Sequence, residues 1–240
     1  MEERIQKFLA EAGVASRREA EAAIVEGAVM VNGEVAVLGQ KVNADDAVEY
    51  RGKLVEQKQR KVYYMLNKPV GYVTTMGDRH AAKCVADLLS DIPYRVYPVG
   101  RLDRGSEGLL LVTNDGELAL RLTHPRYGIE KTYLVKVKGR VTSYMVDKLM
   151  EIRSLDGEKI KPVKVNIINV TEKSSMLRFH LSEGKNRQIR RMCKIAGVEI
   201  SELRRVSVGD IKLGALKPGE IRKLTADEIK YLKGRVGLNA

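Results

Sequence analysis

The spacing of hydrophobic positions near the start of the chain predicts a module with two short helices. Apolar side chains recur at the three- and four-residue spacing of one helix face at Ile5, Phe8, Leu9 and Ala12. Gly13 then supplies a helix stop, because glycine readily adopts the left-handed conformation that closes a helix. Ser16 with Glu19 three residues later forms a capping box, so a second helix is predicted to begin near Arg17.

The same module is predicted to continue into short strands. Val29–Val31 has alternating character, and Asn32-Gly33 is a strong signal for a two-residue hairpin turn. Glu34–Val37 is the predicted partner strand, and Val48–Tyr50 indicates one more. The polar stretch Gly52–Lys61 is predicted to be a linker.

Strands dominate the rest of the chain. Alternating or continuously apolar stretches predict strands at Val62–Leu66, Leu109–Thr113, Thr132–Val137, Val163–Ile167 and Met176–Leu181. Helical spacing occurs at Glu117–Leu122 and Val146–Met150. Because strands and helices mix without a regular strand–helix repeat, the sequence predicts an α+β fold with a largely antiparallel sheet. We expect two domains, residues 1–60 and residues 61–240.

The chain has 240 residues and a formal net charge of +12, which is unevenly distributed. Residues 1–60 hold 9 Lys+Arg against 11 Asp+Glu, whereas residues 61–240 hold 34 against 20. A basic surface is typical of proteins that bind nucleic acid or an anionic membrane surface, although positive charge can also serve solubility alone.

One candidate anion-binding site lies in the first module. Arg17 and Arg18 stand at the start of the predicted second helix, where free N–H groups and the helix dipole already favour an anion. Two solvated arginines are the alternative interpretation of this pair.

A second basic feature is the stretch GKNRQIRRMCKIAG at Gly184–Gly197, which predicts an amphipathic helix. One face carries the cations Arg187, Arg190, Arg191 and Lys194. The opposite face carries Ile189, Met192, Cys193 and Ala196. Like charges at this spacing repel by about 0.2–0.5 kcal/mol per pair, so an anionic partner is the simpler reason for them.

Asp103 is the candidate residue for chemistry. It lies in the glycine-rich loop GRLDRGSEG between Arg101 and Arg104, directly before a predicted buried strand. Nearby cations favour an ionised carboxylate, which can act as a nucleophile. From the residue types alone, an aspartate that stabilises a turn is the simpler interpretation.

Metal, disulfide and membrane functions are not indicated. Cys84 and Cys193 are far apart and the histidines are scattered, so no metal site and no disulfide framework are expected. The longest aliphatic run, Leu109–Val112, is far shorter than the ~20 residues of a membrane span. No leader-like segment opens the chain, and we expect a cytoplasmic protein.

Longer stretches resemble two known families. The segment GVASRREAEAAIVEGAVMVNGE resembles the S-four RNA-binding domain, named after the fourth small-subunit ribosomal protein. Further along, NKPVGY, GRLD with SEGLLLVTNDGELALRLTHP, EKTYLVKVKG and EGKNRQIRRM follow one another as in pseudouridine synthases of the RsuA/RluB type. Within that family the chain looks most like the RluB branch, which acts on large-subunit ribosomal RNA.

The resemblance implies a role for each matching residue. Asp103 corresponds to the family's catalytic aspartate, and Tyr133 to the tyrosine that packs on the target base. Arg190 corresponds to the basic residue that pairs with the catalytic carboxylate, and Ile189 to an apolar residue lining the pocket. Arg104-Gly105 stand where relatives often carry other polar residues, which leaves the local shape of the loop open. RNA contacts are expected from Arg17, Arg18, Arg101, Arg187, Arg191 and Lys194.

The implied reaction is the isomerisation of a uridine in ribosomal RNA to pseudouridine, which needs no cofactor and no metal. Whether Asp103 attacks the sugar or removes a sugar proton stays open. The expected partner is large-subunit ribosomal RNA or an assembly intermediate, bound by a monomer without a membrane. Two alternatives remain: a non-catalytic RNA-binding or ribosome-assembly protein on the same scaffold, and an RNA-glycosylase-like activity that cuts without rejoining.

Overall fold

The computed structural model describes residues 2–56, 59–77 and 81–239. The chain divides into two compact units, each with its own hydrophobic core. The first unit comprises Met1–Val62, Ile92–Val96 and Asn114–Gly116. The second unit comprises Tyr63–Asp91, Tyr97–Thr113 and Glu117–Ala240.

The first unit is a pair of helices with short strands. Its elements in chain order are β1 (Glu3–Arg4), α1 (Ile5–Glu11), α2 (Arg17–Val25), β2 (Val29–Val31), β3 (Glu34–Val35), β4 (Lys41–Val42), β5 (Val48–Tyr50) and β6 (Lys53–Leu54). Strand β1 pairs with β4, and a second sheet has the order β3-β2-β5-β6. The helix faces predicted from apolar spacing bury Ile5, Leu9, Ala20 and Ile24 in one core.

Local sequence signals of the first unit are confirmed in atomic detail. The Ser16 hydroxyl accepts from the Glu19 amide at 3.1 Å, and the Glu19 carboxylate accepts from the Ser16 amide at 2.6 Å. Asn32 and Gly33 both adopt positive φ, as a tight hairpin between β2 and β3 requires.

Two expectations for the first unit are wrong in part. The strand expected over Glu34–Val37 ends at Val35, because only Glu34 and Val35 pair with β2. The expected linker Gly52–Lys61 begins with strand β6, whose residues pair with Glu49 and Tyr50 of β5. Gln57 and Lys58 of that stretch lie outside the described residues.

The second unit contains a large mixed sheet with helices packed on it. Its elements are β7 (Tyr63–Lys68), α3 (Val85–Leu88), β8 (Tyr97–Pro98), β9 (Glu107–Thr113), α4 (Gly116–Thr123), a 3-10 turn (Pro125–Tyr127), β10 (Lys131–Lys138), α5 (Ser143–Glu151), β11 (Ser154–Leu155), β12 (Glu158–Lys159), β13 (Lys164–Val170), β14 (Ser174–Leu181), α6 (Gln188–Ile195), β15 (Ile200–Val208), β16 (Ile211–Lys212), β17 (Ile221–Lys223) and α7 (Ala226–Arg235).

The sheet order brings distant parts of the sequence together. The strands lie in the order β13-β14-β10-β15-β9-β7-β17, with β16 beside β15 and β8 beside β9. Neighbours are antiparallel except at the centre, where β15 runs parallel to β9. The expectation of an α+β fold with a largely antiparallel sheet is confirmed.

The parallel contact at the centre of the sheet depends on one glycine. Gly108 has φ +108°, and a Cβ built there would lie 2.2 Å from the carbonyl oxygen of Arg205. Only glycine lets the two backbones approach so closely. The loop that precedes β9 is thereby held beside β15.

Two core clusters flank this central contact. Val135 and Phe179 of the β10–β14 part pack with side chains of α5 and α6. Leu109 and Leu111 of β9 pack with side chains of α4 and α7. Strand β9 and helix α6 belong to different clusters, so sheet order decides that the loop before β9 meets the start of α6.

Candidate active site

The loop that carries Asp103 is held by hydrogen bonds to its backbone. The amide of Ser106 donates to the Asp103 carbonyl at 3.0 Å, which closes a tight turn. The Thr74 hydroxyl donates to the Leu102 carbonyl at 2.6 Å and accepts from the Leu102 amide at 3.2 Å. The Asp103 side chain remains 34% exposed. A fixed backbone with an accessible carboxylate is the arrangement that a reacting group requires.

A buried lysine supports this loop from beneath. Lys68 ends strand β7 with no exposed surface, and its ammonium donates to the carbonyls of Pro69 at 3.0 Å, Asp103 at 3.2 Å and Ser106 at 2.8 Å. Burial lowers the pKa of Lys68 to about 8, while the charges of Asp103 and Glu107 oppose that fall. Three carbonyls match the three donors of an ammonium group, so the protonated form ties the loop to β7.

Sequence reasoning missed the role of Lys68. The residue was quoted within the motif NKPVGY but received no function. The available signal was a lysine at the end of an apolar strand, since lysine is almost never fully buried without partners.

Arg190 reaches the same loop from helix α6. Its Nη2 donates to the Gly105 carbonyl at 2.6 Å and to the Ser106 hydroxyl at 3.1 Å, and its Nε lies 3.8 Å from Asp103 Oδ2. Burial and the charge of Arg187 lower the pKa of Arg190, and the Asp103 carboxylate opposes this. An arginine stays charged at neutral pH, so Arg190 both positions the loop and pairs electrostatically with Asp103.

The other predicted cations of this stretch differ in their surroundings. Arg187 precedes α6 in a left-handed conformation with φ +48°, and its Nη1 lies 4.0 Å from Asp103 Oδ2. Arg191 pairs with Asp156 at 2.6 Å, whereas Lys194 is exposed. Helix α6 begins at Gln188, so Arg187 stands just before it, yet Arg187, Arg190 and Lys194 line one depression. Arg191 departs from the expectation, because it pairs with Asp156. The predicted apolar stripe is buried, with Ile189, Met192 and Cys193 in the core and Ala196 packed against it.

The carboxylate of Asp103 faces a small pocket of about 90 Å³. Tyr133 of β10 and Ile189 of α6 supply an aromatic ring and an aliphatic side chain to its wall. The pocket gathers most of the site residues expected from the sequence, namely Arg101, Asp103, Tyr133, Arg187, Ile189 and Arg190. These residues come from three separate stretches of the chain, which β10, β15 and β9 bring side by side.

The remaining candidate residues lie elsewhere. Lys194 lines an open depression of about 380 Å³ together with Arg187 and Arg190. Arg17 and Arg18 are the exposed first two residues of α2 in the first unit. Arg104 and Gly105, which stand where relatives often carry other polar residues, make their contacts here through backbone atoms. The Arg104 carbonyl accepts from the Gly71 amide at 2.8 Å, and the Gly105 carbonyl accepts from Arg190.

Other chemistries find little support among the described residues. No cluster of three His, Cys, Asp or Glu side chains with metal-binding geometry occurs in residues 2–56, 59–77 and 81–239. Burial raises the pKa of the Cys193 thiol to about 12, so this cysteine is a neutral core residue and not a nucleophile. No helix in the described part of the chain has the length and apolarity that crossing a membrane requires.

Comparison with known proteins gives consistent matches along the whole chain. Residues 62–194 match the RNA pseudouridylate synthase family, and residues 3–48 match the S4 domain. An uncharacterized RNA pseudouridine synthase of Aquifex aeolicus (strain VF5) is 46% identical over 241 residues, which cover 99% of this chain and 96% of the relative. The ribosomal large subunit pseudouridine synthase B of Bacillus subtilis (strain 168) is 43% identical over 234 residues, 96% of each chain. A crystal structure of a pseudouridylate synthase has a TM-score of 0.69 and 31% identity, covering 95% of this chain and 99% of that one.

Proposed function

Because the chain belongs to the RNA pseudouridylate synthase family, we propose that it isomerises a specific uridine of large-subunit ribosomal RNA, with Asp103 as the catalytic carboxylate. The resemblance to synthases of the RsuA/RluB type is confirmed, and the chain is an enzyme that isomerises uridine in RNA. Support for the large subunit comes from the Bacillus subtilis relative, whose name states that substrate.

One observation carries the assignment of Asp103. Its carboxylate, the Tyr133 ring and the Arg190 guanidinium line the same pocket, although they lie in three different parts of the sequence. An accessible carboxylate with two arginines within 4.0 Å, in a pocket that an aromatic ring also lines, suits a reaction at the sugar of an extruded base. A non-catalytic RNA-binding protein has no need for this combination.

The reaction exchanges one bond of uridine for another. The bond between C1′ of the ribose and N1 of the uracil breaks, the detached base turns, and C1′ bonds to C5. The hydrogen on C5 is then released as a proton and N1 takes up a proton, so atoms and electrons balance without an oxidant. A carboxylate near C1′ serves either route, as nucleophile on the sugar or as base for a sugar proton.

The neighbouring side chains have distinct tasks in this scheme. Tyr133 offers a stacking surface that replaces the lost neighbours of the extruded base, whose unstacking costs a few kcal/mol. Arg190 steadies the negative charge that develops on the detached uracil. Ile189 and Leu203 line the pocket and help to exclude water, which would otherwise release free uracil.

Basic residues outside the pocket are proposed to hold the RNA backbone. Lys194 with Arg187 and Arg101 flanks the pocket, and Arg17 and Arg18 at the start of α2 provide a separate phosphate contact. Arg191 contributes less, since Asp156 already neutralises it. We also propose that the protein acts as a monomer in the cytoplasm.

The central test measures tritium release from C5 of labelled uridine in RNA. We expect Asp103→Asn to abolish release, while RNA affinity changes by less than about threefold because the phosphate contacts are untouched. Asp147→Asn on the exposed surface of α5 is the matched control and should retain full activity. Equal release by Asp103→Asn and the unaltered chain would remove Asp103 from the mechanism.

Product analysis separates the proposal from its alternatives. Stoichiometric free uracil would indicate a glycosylase that cuts without rejoining. RNA binding without release or base loss, on both free RNA and ribosomal particles, would indicate a non-catalytic protein. Mapping pseudouridines in ribosomal RNA from cells with and without the protein tests the substrate. We expect one pseudouridine of the large-subunit RNA to be missing without the protein. Loss of a pseudouridine only from another RNA would contradict the proposed substrate.

A further inference from the structure

A second cavity adjoins the Asp103 pocket and has no part in the scheme above. Its volume is about 390 Å³, and it shares Arg101, Tyr133, Gly184 and Lys185 with the Asp103 pocket. Leu111, Leu122 and Val208 are among its apolar walls, which lie between strand β9, helix α4 and the end of β15. Cavities of this size are typical of sites that hold an organic ligand.

A buried arginine with unused donors lines this cavity. Arg205 is only 4% exposed, and its Nε donates to the Leu109 carbonyl at 2.7 Å. Its two terminal nitrogens have no hydrogen-bond or ion-pair partner within residues 2–56, 59–77 and 81–239. A guanidinium whose unused donors line a cavity can bind an anion there.

Lys131 adds a second cation to this cavity, which Glu183 also lines. It opens strand β10, and its ammonium has no hydrogen bond or ion pair to any described residue. Burial, followed by the charges of Arg205 and Lys161, lowers the pKa of Lys131 to about 8, and Glu183 opposes this only weakly. The Glu183 carboxylate already accepts from the Lys161 amide at 2.9 Å and from Gln188 Nε2 at 3.1 Å. Positive charge is therefore concentrated here at a cost to the folded chain.

We propose that this cavity binds the RNA nucleotide adjacent to the target uridine, with its phosphate on Lys131 and Arg205. This inference rests on the proposed function, because the cavity opens beside the pocket for the extruded uridine. Two unpartnered cations suit a phosphodiester oxygen, and the apolar walls suit the flat face of a base. The pair would then fix the register of the strand and contribute to the choice of uridine.

The test separates binding from isomerisation. RNA affinity is measured by fluorescence anisotropy in the full chain carrying Asp103→Asn, so it does not depend on turnover. The probe is an RNA hairpin containing the mapped uridine, with single neutral methylphosphonates placed in turn at the neighbouring linkages. Each modified RNA is titrated with the chain that keeps Lys131 and with the Lys131→Gln variant.

We expect Lys131→Gln to weaken binding about fivefold and to lower the salt slope by about one phosphate contact. A methylphosphonate at one linkage next to the uridine should weaken binding to the chain that keeps Lys131. The same methylphosphonate should have no further effect on binding to Lys131→Gln. Lys131→Arg should retain the affinity. Lys138→Gln, at the exposed other end of β10, is the matched control and should bind normally. In the active chain, Lys131→Gln should raise KM by a larger factor than it lowers kcat.

Each contrary outcome has a distinct meaning. Equal effects of every linkage in both chains, or an unchanged salt slope in Lys131→Gln, would overturn the inference while leaving the isomerase intact. Lys131-dependent binding of free uridine 5′-monophosphate without any linkage effect would assign the cavity to a free nucleotide and also overturn it. If no uridine is isomerised, large-subunit ribosomal RNA replaces the hairpin: a Lys131-dependent salt slope then supports the phosphate contact although the proposed function has failed.

Discussion

Replacing the buried Lys68 with methionine tests whether the Asp103 loop is held from beneath. Methionine keeps most of the unbranched side-chain volume but removes the ammonium. The carbonyls of Pro69 and Ser106 would lose their donor, whereas the Asp103 carbonyl would keep the Ser106 amide. The substitution therefore removes a support of the Asp103 loop and changes no residue that lines the pocket.

Two opposing contributions set the expected size of the effect. An unsatisfied buried acceptor costs about 1–3 kcal/mol, so the carbonyls of Pro69 and Ser106 together cost about 4 kcal/mol at the middle of that range. Removing a buried charge returns free energy: the fall in the pKa of Lys68 to about 8 corresponds to about 3 kcal/mol. The net loss in the free energy of unfolding is therefore about 1 kcal/mol. At about 2–4 °C per kcal/mol, Tm should fall by about 2–4 °C.

Calorimetry at pH 7 measures the stability loss, and tritium release measures activity well below the new Tm. A loop displaced by about 1 Å should cost about a hundredfold in kcat. Lys138→Met is the matched control, because an exposed lysine paired with Glu199 contributes at most about 1 kcal/mol. A Lys68→Met chain that is at least as stable as the unaltered protein and has a normal kcat would refute the reasoning.

Three further predictions concern other contacts. Gly108→Ala, whose Cβ would meet the Arg205 carbonyl, should lose about 3 kcal/mol or more or fail to fold, whereas Gly139→Ala with open space should lose only about 1 kcal/mol, as urea titration would show. Arg190→Lys keeps the charge but loses the planar fork, so tritium release should slow by at least about tenfold; normal kinetics would contradict this. Lys131→Met removes a cation that has no ion pair, so it should raise the free energy of unfolding at pH 7. Because the pKa of Lys131 is about 8 in the folded chain and about 10.5 in the unfolded chain, this gain should shrink as pH rises from 8 to 10.5. A difference in stability that does not change with pH would be the contrary result.

Local features of this chain followed from its sequence because their physics is local. The capping box at Ser16 and Glu19 needs only four consecutive residues, and the turn at Asn32-Gly33 needs only residues that tolerate positive φ. Alternating apolar positions likewise set which side of β10 is buried, since side chains alternate along any strand. Motifs such as GRLD and RQIRR identified the family in the same way, residue by residue.

Partnerships between distant residues were decided only by the tertiary structure. Arg190 was expected to pair with the Asp103 carboxylate, yet its two hydrogen bonds are made to Gly105 and Ser106. Arg191 was expected to join the same basic face, but it pairs with Asp156 of the turn between β11 and β12. Spacing along a helix gives directions and not partners, so the sequence alone left these contacts undetermined.

The support of the site and the second cavity depend on sheet order. Lys68 meets the Asp103 loop because β7 lies beside β9, and Arg205 lines the cavity because β15 is inserted between β10 and β9. Sequence patterns specify that a strand exists and which of its faces is apolar. They do not specify its neighbours, because strand pairing is selected by the packing of the whole core. The same packing decides whether a buried cation such as Lys68 or Arg205 meets hydrogen-bond acceptors.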